Sequence, residues 1–254
     1  MVGQYEGIRY FQSNNIGHIQ LDRPPVNAFS PEMGRGLYEI LKLAQEDNKV
    51  RVVVLSGTGE YFSTGMDLKS VDVTNAGEIQ QLQHDIFNPI AQQLYTYQKP
   101  TICALNGTAA GAGLAFALGC DMMYAQSSAR LVFNTIDKGL LFACGGGYLL
   151  ERTVGERRAK EILFRGTLLT VKEGLEEKLV TKVFRDVEDL NGAVEHVAGQ
   201  LAEKSSVVLS AIKSVLRRKS SEEFKAYLQY EEVLQRVCLE SKEFQEAMKV
   251  FLKK

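Results

Sequence analysis

Two glycine-bearing loops carry the residues of this chain best suited to chemistry. Thr101 to Asp121 reads T-I-C-A-L-N-G-T-A-A-G-A-G-L-A-F-A-L-G-C-D. Its first five residues are apolar or β-branched and predict a short buried strand. An Asn-Gly turn follows, then Gly111-Ala112-Gly113, then an apolar run without proline that is too long for a strand. The pattern is strand, small-residue loop, helix. Small residues admit close approach to the backbone, and the start of a helix presents N–H groups without intrahelical partners. Such donors stabilise an anion, or an oxygen that becomes anionic during a reaction. Tight helix–strand packing through small residues leaves the same signature, and the stretch alone slightly favours that packing.

The second loop runs from Ser56 to Leu68, S-G-T-G-E-Y-F-S-T-G-M-D-L. Leu55-Ser56-Gly57-Thr58 matches Leu105-Asn106-Gly107-Thr108 at a spacing of 50 residues. Four positions are a hint of a repeated unit. If the hint holds, two equivalent strand ends lie side by side and aim two sets of loop N–H groups at one spot.

The elements that must position these loops alternate between β and α patterns. Ile8–Phe11 and His18–Leu21 predict a hairpin. Arg23 to Ala28, with its two prolines, interrupts regular structure. Ser30 is a helix cap with Pro31 at the first position and Met33, Leu37, Ile40, Leu41 and Ala44 on one face. Val52–Leu55 is a continuous apolar run, the pattern of a strand buried on both faces. Ile79, Leu82, Ile86, Ile90 and Leu94 recur at helical spacing, while Asp72 to Glu78 is short of apolar anchors. Met122–Ala125, Leu131–Phe133 and Leu179–Phe184 read as strands. Tyr148–Leu150 (behind three glycines), Glu156–Leu163 and Val171–Glu177 read as helices. From Asp189 onward the pattern is helical: 193–202, 206–217 and 222–252. The expectation is an α/β spiral over 1–188, followed by a helical region over 189–254.

With 254 residues, 45% of them hydrophobic, the chain can bury one large core or two modest ones. A formal net charge of −1 offers no basic field for nucleic acid or for a membrane surface. No apolar run approaches the roughly 20 residues of a membrane span, and MVGQYEGIRY lacks the regions of a secretory signal. Cys103, Cys120, Cys144 and Cys238 are irregularly spaced, mostly among apolar residues, and read as free thiols of a cytoplasmic protein. Cys144 has no basic partner nearby in sequence. Three scattered histidines suggest no metal site.

Phe62 to Lys69 (F-S-T-G-M-D-L-K), Ala104 to Gly113 and Cys120-Asp121 resemble the crotonase (enoyl-CoA hydratase/isomerase) superfamily. Leu21 to Ala28 (L-D-R-P-P-V-N-A), Gly166 to Val180 and Ser206 to Lys213 extend the likeness over nearly the whole chain in the family's order. The resemblance implies a crotonase-like spiral of ββα units with a C-terminal helical trimerisation region. It implies a homotrimer or homohexamer, a coenzyme A thioester from acyl-CoA or fatty acid metabolism, and no cofactor beyond that coenzyme A. Matched residue by residue, the two backbone donors that hold an enolate-like thioester oxygen fall on Met66 and Ala112. The segments that face coenzyme A contribute Arg23, Val26, Ala28, Asp67, Leu68 and Lys69, with Arg23 and Lys69 suited to phosphate by charge. The final lysines, Lys253 and Lys254, stand where relatives carry a longer basic tail.

The resemblance fails at the acids. The first glutamate of the family's hydratases falls on Ala115, which cannot handle a proton. The second falls on Asp137, one methylene shorter. One carboxylate is sufficient to move a proton between C2 and C4, so the leading expectation is an enoyl-CoA isomerase that uses Asp137. The alternatives are a crotonase-type decarboxylase, with helpers among His84, Asn134, Thr135 and Tyr148, a hydratase with altered acids, and a non-catalytic homologue.

Overall fold

A computed structural model of the chain describes residues 5–217 and 220–252. Lys253 and Lys254 lie outside the described residues. The chain opens with strands β1 (Ile8–Ser13) and β2 (Ile16–Leu21), paired antiparallel. Asn14 and Asn15 both take positive φ, 49° and 64°, as a two-residue hairpin turn requires. Helix α1 (Pro31–Glu46) starts where Ser30 Oγ accepts from Met33 N–H at 3.1 Å, and it buries the predicted face from Met33 to Ala44.

Three strand pairs then repeat one theme. β3 (Val52–Gly57) is followed by the short β4 (Tyr61–Ser63), which leads through α2 (Ala76–Leu82), a π-helical turn Gln83–Phe87 and α3 (Asn88–Thr96). β5 (Thr101–Leu105) is followed by β6 (Thr108–Ala110) and α4 (Gly111–Gly119). β7 (Met122–Gln126) is followed by β8 (Arg130–Val132) and a 3₁₀ turn Asn134–Lys138. Next come α5 (Gly146–Val154), α6 (Glu156–Phe164), β9 (Leu168–Thr170), α7 (Val171–Glu176) and β10 (Lys182–Phe184). Four helices end the chain: α8 (Val187–Ala202), α9 (Ser206–Leu216), α10 (Ser220–Leu239) and α11 (Lys242–Phe251).

The long strands form a six-stranded sheet in the order β1-β2-β3-β5-β7-β10, parallel from β2 onward. The short strands form a second sheet, β4-β6-β8-β9. β3 lies beside β5 and β4 beside β6, so the repeated Leu-Ser/Asn-Gly-Thr segments do end neighbouring strands. One face of the large sheet packs on α1, α3, α4 and the small sheet through Leu37, Leu55, Phe116 and their neighbours. The other face, through Val52, Val54, Ile102 and Ala104, is covered by Leu190, Val194 and Ala198 of α8. The three-residue strands β4, β6 and β9 have no legible period. The expected helix 222–252 is broken at Ser241, whose hydroxyl accepts from Phe244 N–H at 3.1 Å and starts α11. No helix among the described residues is long and apolar enough to cross a membrane.

Candidate active site

The two loops touch through their backbones. Phe29 pairs with Met66 as a neighbouring parallel strand would: Phe29 N–H donates to the Gly65 carbonyl at 2.8 Å, and Asp67 N–H donates to the Phe29 carbonyl at 2.9 Å. In that pattern the middle residue's own N–H faces the opposite way. Met66 therefore turns its donor away from Phe29. Ala112 is the second residue of α4, where N–H groups lack intrahelical acceptors, and Ala110 at the N-cap has no side chain to satisfy them.

Gly65 holds φ at +87°, and a Cβ there would lie 2.7 Å from Ala112 N. A Cβ on Gly113 would lie 2.6 Å from Ser63 Cβ and 2.7 Å from the Ser63 carbonyl oxygen. Close packing and donor presentation are thus one arrangement: the small residues let the first loop rest on the start of α4. Two buried asparagines hold the loops. Asn106 Oδ1 accepts from Gly57 N–H at 2.8 Å, and its Nδ2 donates to the carbonyls of Gly59 and Tyr61 at 3.0 and 3.2 Å. Asn27 Nδ2 donates to the carbonyls of Thr58 and Tyr61, both at 2.9 Å, and ties the Arg23–Ala28 segment to the same place.

Met66 and Ala112 line one cavity of about 80 Å³. Thr64 and Gly111 flank them; Leu140, Leu141, Ala143 and Cys144 face them; Ile79, Gln83 and Gln235 come from α2, the π turn and α10. An outer groove of about 730 Å³ shares Thr64, Met66, Leu68 and Lys138 with that cavity. Arg23, Val26, Ala28, Asp67, Leu68 and Lys69 all line the groove. Arg23 is partly spent there: its guanidinium pairs with Asp67 at 2.9 Å and donates to the Ala28 carbonyl at 2.9 Å. Lys69 is exposed, and its ammonium sits 6.0 Å from the centroid of Phe251, with that of Lys138 at 5.4 Å from the same ring.

Asp137 is not brought to the cavity. The 3₁₀ turn points Thr135 and Lys138 inward and leaves Asp137 exposed, with its Oδ1 3.5 Å from the position of a Cβ on Gly166. The matched position carries the right residue type on the wrong side of the turn. Ala115 is buried in the core of α4. His84 is also off the cavity: its ring is exposed and its Nδ1 lies 2.9 Å from Glu232. Tyr148 packs on Tyr95, Phe224 and Tyr227, and Asn134 does not line the cavity.

Among the described residues, no carboxylate lines the cavity. Its titratable side chains are Lys138, whose pKa burial lowers, and Cys144, whose thiol burial holds well above the usual range. Glu231 sits just outside the wall, buried and accepting from Gly145 N–H at 3.2 Å on each oxygen. Burial pushes its pKa up to about 8 despite those bonds.

The model of the family described as "Enoyl-CoA hydratase/isomerase" matches residues 12–254. The chain belongs to the enoyl-CoA hydratase/isomerase family. It is 33% identical over 240 residues to the 1,2-epoxyphenylacetyl-CoA isomerase of Escherichia coli, covering 93% of this chain and 91% of that protein. It is 30% identical to a 4-chlorobenzoyl coenzyme A dehalogenase of an Arthrobacter species, covering 86% and 80%. The crystal structure of an enoyl-CoA hydratase/isomerase from Pseudoalteromonas atlantica superposes with a TM-score of 0.86 at 28% identity, covering 98% of this chain and 97% of that one. The chain is therefore an enzyme of this type, acting on an acyl-CoA thioester. Within the family frame, Gln83, Lys138 and Gln235 are among the cavity residues that sequence reasoning passed over. A signal existed for Gln83: Ile79, Gln83 and Ile86 fall at i, i+4 and i+7, the buried face of the helical pattern.

Proposed function

We propose that the thioester oxygen of an acyl-CoA sits between the N–H groups of Met66 and Ala112, with coenzyme A in the groove lined by Arg23, Val26, Ala28, Asp67, Leu68 and Lys69. An enolate oxygen at that spot gains most from the two donors because they are fixed before the reaction, and each such donor is worth about 2.7–4 kcal/mol of barrier. The reaction proposed is decarboxylation of a 2-carboxyacyl thioester. The carrying observation is that no carboxylate among the described residues lines the cavity. A hydratase needs two acids there, and the single-carboxylate isomerase loses its proton carrier with Asp137 outside. Decarboxylation needs neither. The bond from C2 to the carboxylate breaks, its electron pair becomes the enolate, and carbon dioxide leaves. C2 then takes a proton from water, and the thioester carbonyl re-forms. No atom is oxidised or reduced outside the substrate, so the coenzyme A carried by the substrate is the only cofactor this chemistry requires.

A second reading has its own observation. Lys138 lines the cavity, and burial lowers its pKa against the opposing charge of Asp137. In an isomerase, Lys138 would carry the proton between C2 and C4 in place of Asp137. Release of carbon dioxide from malonyl- or methylmalonyl-CoA, retained in Lys138→Met, supports the first reading. Isomerisation of a 3-enoyl-CoA that is lost in Lys138→Met, without carbon dioxide release, replaces it with the second.

We further propose a cytoplasmic homotrimer or homohexamer. Supporting assembly, α9 exposes Val207, Val215 and Leu216 at 77, 71 and 75%, an apolar face of the kind that marks protein contacts. Four free cysteines support a reducing compartment. Light scattering that returns the mass of a monomer would remove the assembly.

A further inference from the structure

The side-chain amide of Gln83 has no task in the fold. Gln83 is 3% exposed, its Nε2 is buried without a hydrogen-bond partner, and the residue lines the cavity beside Met66 and Ala112. Buried polar groups are almost always paired, because leaving a donor unpaired costs about 1–3 kcal/mol. Two other unpaired atoms lie on the same stretch, Asn88 Oδ1 and Gln92 Oε1, but neither residue lines the cavity. Gln83 also opens a π-helical turn: the Asn88 N–H donates to the Gln83 carbonyl, so the wider turn begins at this residue. Such turns are costly insertions in a helix and gather at functional sites. Here the turn places an amide in the cavity wall beside the apolar side chains of Ile79, Leu140 and Leu141.

We infer that Gln83 donates a hydrogen bond to an oxygen carried by the acyl group, and that the enzyme selects oxygenated acyl thioesters over plain hydrocarbon ones. The inference rests on the placement of the acyl group in this cavity. An oxygen acceptor completes the unpaired donor, whereas a methyl group in its place leaves the donor unpaired in the bound state.

The test is calorimetric binding of three four-carbon thioesters, butyryl-, 3-hydroxybutyryl- and succinyl-CoA, to the full chain and to Gln83→Met, which keeps the side-chain length and removes the amide. The wild-type protein should bind at least one oxygenated thioester about 5- to 100-fold tighter than butyryl-CoA. Gln83→Met should close that gap to within about twofold and leave butyryl-CoA binding as tight as before or tighter. A larger gain for succinyl-CoA assigns a carboxylate to Gln83, and a larger gain for 3-hydroxybutyryl-CoA assigns a hydroxyl. Equal binding of all three by the wild-type protein, or a preference that survives in Gln83→Met, overturns the inference while leaving the acyl-CoA site intact. Failure of all three to bind removes the acyl-CoA placement itself, and the role of Gln83 with it.

Discussion

Replacing Gly65 by alanine should separate the two donors without touching either. The added Cβ would lie 2.7 Å from Ala112 N, 3.1 Å from the Ala110 carbonyl oxygen and 3.3 Å from Gly111 C. All three are backbone atoms at the start of α4, so no side chain can rotate out of the way. Relief requires α4 or the Met66 loop to shift by several tenths of an ångström. The φ of +87° adds strain for any residue with a Cβ, about 1–2 kcal/mol. Overpacking of this kind costs a further 1–3 kcal/mol or so. Gly65→Ala should therefore lose about 2–5 kcal/mol of folding stability.

Gly59→Ala is the matched control. Its φ is +71°, and nothing lies within 4 Å of the added Cβ, so it should pay only the conformational strain of about 1–2 kcal/mol. A readout that needs no knowledge of the reaction is the infrared carbonyl stretch of a bound acyl-CoA labelled with carbon-13 at C1. Two donors on the oxygen polarise the bond and lower its frequency. Wild type and Gly59→Ala should show that shift, and Gly65→Ala should lose most of it. Turnover should fall about 10²–10³-fold in Gly65→Ala, the loss expected when one donor is misplaced. A folded Gly65→Ala protein with the full carbonyl shift and turnover within about threefold would falsify the assignment of Met66 and Ala112.

Two further predictions follow from burial. Glu231 has its pKa raised from 4.5 to about 8 by burial, so the folded state holds a proton that the unfolded state has released between those values. Stability should be greatest below about pH 4.5 on this account and fall as pH rises toward 8, by up to about 4–5 kcal/mol at 1.36 kcal/mol per unit. Glu231→Gln should flatten that slope in urea titrations across the window; an unchanged slope would assign it to other groups. Cys103 and Cys144 are buried with thiol pKa values well above the usual range. At pH 8 Cys103 should react with a disulfide reagent only after unfolding, and its fast labelling in the native protein, located by peptide mass, would contradict that burial.

How much of this was legible depends on whether the signal lay in backbone or in side-chain direction. The donor loops were readable because the requirement there is spatial. Gly65 and Gly113 must be small since the two backbones touch, and smallness is visible in a sequence. The same holds for Ser30, whose capping bond to Met33 follows from its place before an amphipathic run. For Asp137 a matched position conveys residue type but not orientation, and the structure leaves its side chain exposed. The turn that carries it is fixed by a contact far along the chain: Gly139 (φ +67°) packs so closely on α11 that a Cβ would lie 2.8 Å from Phe244 N. That contact belongs to tertiary structure, and no local pattern reports it. Gln83 is the opposite case, a position whose local pattern does report its place. An amide on the apolar face of a helix is unfavourable unless something completes it, so its presence there was already evidence for a bound partner. The positions most informative about substrate are thus those where a residue contradicts the periodicity around it. In this chain the contradiction at 83 points to a polar acyl group more directly than the absent glutamate at 115 points to any reaction.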